Sequence, residues 1–195
     1  MSDDARPTLH IFARWPEPGQ AKTRLIPHFG KDGAAAIYRK LLAHTVETAR
    51  ASGLPFVVRV TGAEPARFRE WLGHDAEVVD QGDGNLSDKL ARMPAPGIAL
   101  GSDCPGLTVD HLGEAAGALA DHNACVGPAS DGGYWALGLM RPMPWVFTGM
   151  EWSTDTVFDQ TIQRLRTARA SVAILPELSD VDLAEDLAAW PEFLP

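Results

Sequence analysis

The chain has 195 residues, 45% of them hydrophobic and 22% charged, which is the composition of a soluble globular protein and enough length for one domain with a full core. Its formal net charge of −9 argues against a broad nucleic-acid or anionic-membrane surface, so any bound phosphate must meet local cations, a metal ion, or both. No apolar run approaches the roughly 20 residues that span a bilayer, the opening Met1–Pro7 lacks the apolar core of a signal peptide, and two cysteines, Cys104 and Cys125, make no disulfide framework. Together these features predict a single domain over residues 1–195, with no membrane insertion, in a reducing cytoplasm.

Strand-like and helix-like runs alternate along the chain. Leu9–Phe12 reads as a short buried strand, followed by a helix over Asp32–Ala51 with apolar residues at Ala34, Ile37, Leu41, Val46 and Ala49. Pro55–Val60 is β-branched and strand-like, Pro65–Leu72 suits a short helix, and Glu77–Asp80 a strand. Leu86–Met93 (helix) and Gly97–Gly101 (strand) come next, then a helix over Thr108–His122 with Thr108 at its N-cap. Ala124–Gly127 and Trp135–Leu139 are strands, Thr154–Ala168 a helix, Ser171–Leu175 a strand and Leu183–Trp190 a final helix. Such alternation predicts an α/β fold with a mostly parallel mixed sheet and ligands beyond the carboxyl ends of its strands. Gly138–Trp152, rich in Met, Pro, Trp and Gly, is either a lid or an irregular connection with aromatics tucked in.

The chemistry concentrates in five loops. The first follows the first strand: Pro16 and Pro18 stiffen it, Gly19 permits a shape other residues resist, and Lys22, Thr23 and Arg24 bring two cations and a hydroxyl to a strand's carboxyl end. That is a grip for phosphates, although neither the dinucleotide glycine fingerprint nor the Gly-x-x-x-x-Gly-Lys-Ser/Thr loop is present. In the second, Ala99–Pro105, a strand runs into Asp103; Mg²⁺ prefers one or two carboxylates with phosphate oxygens and waters, which makes Asp103 the first candidate metal ligand. The third, Gly127–Trp135, carries Asp131-Gly132-Gly133, which reads either as a hairpin turn or as a place where backbone passes close to a ligand while Asp131 holds sugar hydroxyls.

The fourth, Ser179–Leu187, offers Asp182 and Glu185 as a capping box for the last helix, with Asp180 or Asp182 as a second metal ligand. In the fifth, Asp80–Lys89, Gln81 and Gly82 can face a base and Lys89 a phosphate, or the segment is an ordinary strand-to-helix loop. Trp152 and Ser153 open a further helix and are candidates for the acceptor side, with Ser153 and Thr154 also fitting an N-cap. The six histidines show no metal-ligand spacing, and no Gly-x-Ser-x-Gly elbow is present.

In order and spacing these loops resemble the nucleotide-diphospho-sugar transferase superfamily, the GT-A fold. Within it they resemble a bacterial family labelled glycosyltransferase or radical-SAM/selenodomain-associated transferase. The resemblance rests on Pro-Gly-Gln-Ala-Lys-Thr-Arg-Leu, Gly-Ser-Asp-Cys-Pro, Gly-Pro-Ala-Ser-Asp-Gly-Gly-Tyr-Trp, Trp-Ser-Thr and Asp-Val-Asp-Leu-Ala-Glu-Asp-Leu, and runs from about Leu9 to Leu187. It implies a three-layer α/β/α, GT-A/Rossmann-like domain that binds a nucleotide at the first strand-loop and Mg²⁺ or Mn²⁺ on acidic residues. By motif match Asp103 and Asp182 become the metal ligands, and Lys22 and Arg24 the basic phosphate loop. The sequence departs from that pattern at His28, where nucleotidyltransferases often carry Lys, and in Ser102-Asp103-Cys104, half of an Asp-x-Asp signature.

The expected activity is metal-dependent glycosyl transfer from a nucleotide-sugar to a small-molecule acceptor, with Lys22, Arg24 and Asp103 as the catalytic set. Nucleotide contacts are expected from Pro18, Gly19, Lys22, Thr23, Arg24, Gln81, Gly82 and Lys89, and sugar or acceptor contacts from Asp131, Gly132, Gly133, Trp152 and Ser153. Two alternatives stand beside it: nucleotidyl transfer with release of pyrophosphate, and a non-catalytic nucleotide-binding module.

Overall fold

The computed structural model describes residues 6–195; of the opening segment read above for a signal peptide, residues 1–5 lie outside the described residues. Seven strands form one sheet in the order β3-β2-β1-β4-β6-β5-β7. They are β1 (Thr8–Arg14), β2 (Phe56–Thr61), β3 (Glu77–Asp80), β4 (Gly97–Leu100), β5 (Ala124–Pro128), β6 (Tyr134–Leu139) and β7 (Val172–Ile174). Only β6 runs antiparallel to its neighbours: β1 pairs in parallel with β2 and β4, β2 with β3, and β5 with β7. The α-helices among the described residues are α1 (Ile26–Ala51), α2 (Pro65–Leu72), α3 (Leu86–Ala91), α4 (Val109–Asp121) and α5 (Val157–Thr167).

Alternation within the strands divides the core into two layers. Ile98, Leu100, Cys125 and Ala136 face α1, α2 and α4 through Leu42, Val46, Phe68, Leu112 and Leu119. Ala99, Val126, Leu137 and Leu139 face α3 and α5 through Leu90, Ile162 and Leu165. The result is the expected three-layer α/β/α sandwich. A third apolar cluster, with Leu25, Ile37 and Leu41 against Val181, Leu187 and Phe193, ties the C-terminal segment onto α1. No helix among the described residues is long and apolar enough to cross a membrane.

Several elements differ from the sequence reading. The first helix begins six residues earlier than expected, at Ile26, because a break at Gly30 (φ 70°) lets two helical pieces join at a kink. The last expected helix, over Leu183–Trp190, is instead a pair of 3₁₀ turns, Ala184–Ala189 and Pro191–Phe193, since Pro191 cannot continue a regular ladder. The helix expected from Thr154 starts at Val157, and neither Ser153 nor Thr154 caps it: Ser153 has φ 64°, and the Thr154 hydroxyl donates to the Glu151 carbonyl at 3.0 Å. Thr108 does cap α4, accepting from the His111 N–H at 3.3 Å. Gly138–Trp152 is a packed connection, with Met143, Val146 and Phe147 buried in the core. Cys104 and Cys125 are free, buried thiols, and Cys104 is pushed well above its usual pKa by burial and then by the charge of Asp103.

Candidate functional site

Four segments meet beyond the carboxyl ends of β1, β4 and β5, as the topology of an open α/β sheet requires. The exit of β1 and the exit of β4 are braced by Tyr38 of α1. Its buried hydroxyl accepts from the Arg14 N–H at 3.1 Å and shares a 2.9 Å hydrogen bond with Ser102 Oγ. The Val181 N–H donates to the Asp103 carbonyl at 3.0 Å, so the C-terminal segment is fastened to the β4 exit. The β5–β6 turn is fastened to the same segment, because the Ser130 N–H donates to the Leu178 carbonyl and the Leu178 N–H donates to the Pro128 carbonyl, at 3.1 Å each. Asp103, Asp131, Asp180 and Asp182 are gathered by these backbone ties rather than by one local motif.

Lys22 enters this acidic group from the first loop. Its ammonium donates to Asp103 Oδ2 and to Asp182 Oδ1, both at 2.9 Å, and Arg24 Nη1 donates to Asp182 Oδ2 at 2.8 Å. The Lys22 side chain is only 9% exposed. Burial works against its charge, but Asp103 and Asp182 more than reverse that, and the ammonium is held more firmly than a free lysine's. For Asp182 burial likewise opposes the charged form, and Lys22 and Arg24 win, so its carboxyl lies below the usual range. Asp180 has no such partner. Burial first, then the charges of Asp131, Asp103 and Asp182, push it up to about 6. Lys22 (φ 46°) and Ser153 (φ 64°) both sit in the left-handed region, and both line the same pocket. Strain of this kind at non-glycine residues clusters at functional sites.

The capping arrangement in the C-terminal segment differs from the expected one. Asp186, not Glu185, accepts the backbone N–H groups of Asp182 and Leu183, at 2.8 and 2.7 Å. This frees the Asp182 carboxylate to face Lys22 and Arg24. Carboxylate oxygens of Asp131, Asp180 and Asp182 lie within 4.8 Å of one another. An all-oxygen set of three carboxylates fits Mg²⁺ or Mn²⁺, which favour hard oxygen donors. Asp103 is not in that converging set; its Oδ2 accepts from the Lys22 ammonium.

Two adjoining pockets share this acidic floor. One, of about 470 Å³, is polar and is lined by Lys22, Thr23, Arg24, Asp131, Ser153, Thr154, Asp155 and Asp182. The other is a mostly apolar cleft of about 240 Å³ between α3 and β6. Phe12, Leu86, Leu90, Tyr134, Trp152 and Val157 make its walls, and Asp103, Asp131 and Asp180 face its polar side. Trp152 is held there by its ring N–H, which donates to Ser87 Oγ at 2.9 Å, while Ser87 donates to the Phe147 carbonyl at 2.8 Å. Gly133 and Ser153 reach this cleft with Asp131. Gly132 supports the turn from below: at φ 86° a Cβ would overlap the backbone of Asp155, and its carbonyl accepts the Phe158 N–H at 2.9 Å.

Other residues expected at the site stand outside both pockets. Gln81 is buried, and its side-chain amide donates to the carbonyls of Ala13 and Arg59 at 2.9 and 2.8 Å, bracing β1 and β2 instead of facing a cleft. Pro18, Gly19, Gly82 and Lys89 line neither pocket. The apolar walls escaped the sequence reading because Phe12, Leu86 and Leu90 look like core positions until α3 is placed beside β4. Tyr38 and Ser102 gave no sequence signal, since their bond joins residues 64 positions apart.

The fold is that of the nucleotide-diphospho-sugar transferase superfamily. The chain belongs to the bacterial family described as "Uncharacterized protein conserved in bacteria (DUF2064)", which matches residues 44–154. Among solved structures it is similar to a protein of Desulfovibrio desulfuricans G20 assigned as a nucleotide-diphospho-sugar transferase, with 26% identity, a TM-score of 0.88 and coverage of 96% of this chain and 88% of that one. It shares the fold of Rv0371c from Mycobacterium tuberculosis H37Rv in complex with manganese, at 17% identity and a TM-score of 0.57, over 95% of this chain and 98% of that one. It also shares the fold of the inositol-1-phosphate CTP transferase of T. maritima, at 14% identity and a TM-score of 0.56, over 97% and 95% of the two chains. No curated protein matches the sequence.

Proposed function

We propose that the protein is a metal-dependent transferase that draws a glycosyl group from a nucleoside-diphosphate sugar and passes it to a small acceptor. One observation carries this reading: Lys22, Thr23 and Arg24 line one polar pocket at the carboxyl ends of the strands together with Asp131 and Asp182, two of the three converging carboxylates. Cations and a hydroxyl interleaved with acidic groups in one pocket suit a diphosphate bridged to a divalent ion.

Asp131, Asp180 and Asp182 would hold Mg²⁺ or Mn²⁺, which supplies charge neutralisation for a departing diphosphate. Arg24, whose side chain is 65% exposed, is free to swing from Asp182 to a phosphate oxygen. Thr23 adds a hydroxyl donor on the same wall. Asp131 stands on the boundary of both pockets, where it would orient the transferred group between donor and acceptor. The apolar cleft beside it, walled by Trp152 and Tyr134, excludes water from the acceptor side. Two buried free thiols accord with a reducing cytoplasm as the place of work.

Nucleotidyl transfer is the second reading. It is favoured by the match in extent with the inositol-1-phosphate CTP transferase, which covers 97% of this chain and 95% of that one. Product analysis separates the two. Incubated with Mn²⁺ and a panel of nucleoside triphosphates and nucleotide-sugars, with water as the default acceptor, a glycosyltransferase hydrolyses the nucleotide-sugar to nucleoside diphosphate and free sugar and releases no pyrophosphate. Pyrophosphate from a triphosphate instead would replace the first reading by the second, and bound nucleotide with neither product would leave a binding module.

A further inference from the structure

The Lys22 ammonium lies between two carboxylates that are far apart in the sequence, one at the β4 exit and one in the C-terminal segment. It is nearly buried and makes two hydrogen bonds of 2.9 Å, the geometry of a bound cation rather than of a mobile surface lysine. Its backbone is held at φ 46°, which lysine adopts at a cost, so the loop imposes this placement. Immediately beside it lies a second group of acidic oxygens, those of Asp131 and Asp180, which share Asp182 with the lysine. Among the described residues no lysine or arginine forms an ion pair with Asp180. Four carboxylates thus surround two cation positions, and the chain itself fills one of them.

We propose that Lys22 is a resident cation of the site: it occupies the Asp103–Asp182 notch permanently, confines the divalent ion to the Asp131–Asp180–Asp182 face, and limits uptake to one ion per chain. This rests on the metal-dependent reading above. Lys22 is then a positioning residue for the ion, and it keeps the acidic segments together before any ion arrives. Two like charges a few ångströms apart also oppose each other, so the lysine lowers the affinity of the site for the metal in exchange for fixing its location.

Mn²⁺ binding to the whole chain, read by electron paramagnetic resonance and titration calorimetry, tests this without any substrate. Wild type should take up one Mn²⁺. Lys22→Met, which keeps length and removes charge, should take up a second ion in the vacated notch or bind the first at least about tenfold more tightly. It should also melt below wild type in chelator and recover with Mn²⁺. Lys22→Arg, which keeps the charge, should keep the single-ion stoichiometry and controls for disturbance of the loop. Two ions in wild type, or the same number and affinity in wild type and Lys22→Met, would overturn the proposal while leaving a metal site standing. No Mn²⁺ on wild type or on either variant would instead remove the metal-dependent reading, and the proposal with it.

Discussion

The Val181 N–H donates to the Asp103 carbonyl at 3.0 Å, and this one backbone bond sets the spacing of the acidic site. It fastens the C-terminal segment to the exit of β4, so that Asp180, on one side of the buried Val181, lines the same cleft as Asp103, and Asp182, on the other, shares the Lys22 ammonium with Asp103. Residues on either side of one extended position point the same way, which is why the Asp-Val-Asp spacing works. The cations of the first loop then close the polar wall.

Asp182→Asn should separate charge from shape at this junction. Asp182 holds both Lys22 and Arg24, and Lys22 is nearly buried. Removing a charged acceptor from such bonds costs about 1.5–3 kcal/mol. Urea denaturation without metal should show a loss in that range, and unchanged stability would mean that the lysine bridge contributes little in solution.

Arg24→Ala should behave in the opposite way. The Arg24 side chain is 65% exposed, and an exposed pair of this kind contributes less than about 1 kcal/mol to folding. The melting transition should therefore hardly move. The KM for the nucleotide donor should rise about tenfold, as expected for loss of one charge-assisted phosphate contact. A large stability loss with unchanged KM would assign Arg24 to structure.

These contrasts show what the sequence could convey. The strand-helix alternation was readable because buried parallel strands such as Val57–Val60 are near-continuous apolar runs. The acidic loops were readable because each ends a strand at a Pro or Gly. The Asp131-Gly132-Gly133 turn was open to two readings: it closes the β5–β6 hairpin, and Asp131 and Gly133 also line the cleft. What could not be read was pairing across long separations, such as Lys22 with Asp182, 160 positions on. Nor could the sequence show that Gln81 turns inward to brace two strands, since an amide serves a base edge and a carbonyl equally well.

Gly132→Ala should be costly despite its small size. The residue sits at φ 86°, and a Cβ would overlap the Asp155 backbone ahead of α5. A left-handed non-glycine residue alone costs about 1–2 kcal/mol, and the overlap adds to it. Denaturation should show a loss above about 2 kcal/mol. A variant as stable as wild type would mean that the turn relaxes freely and does not fix Asp131.

His10 gives the fold a dependence on pH that is separate from the site. It is buried in β1, and burial, then the charge of Arg59, lowers its pKa from 6.5 to about 4. The folded state therefore prefers the neutral ring. Its contribution is fully present above pH 6.5 and is lost as pH falls from there to about 4, at up to about 1.4 kcal/mol per pH unit. Asp180, raised to about 6, acts in the opposite sense, so the difference between wild type and His10→Gln isolates the histidine. The variant should lose less stability over that window; parallel curves would contradict the assignment.

The central claim is that a nucleotide donor and a divalent ion share the acidic pocket, and thermal melting in the presence of both tests it most directly. With Mn²⁺ and a nucleotide-sugar or nucleoside triphosphate at about 100 times its Kd, wild type should gain about 2.7 kcal/mol. The gain should vanish in chelator and in Asp180→Asn. A nucleotide shift of the same size without metal, or one that survives Asp180→Asn, would place the ligand elsewhere, and no shift with any nucleotide would contradict the account.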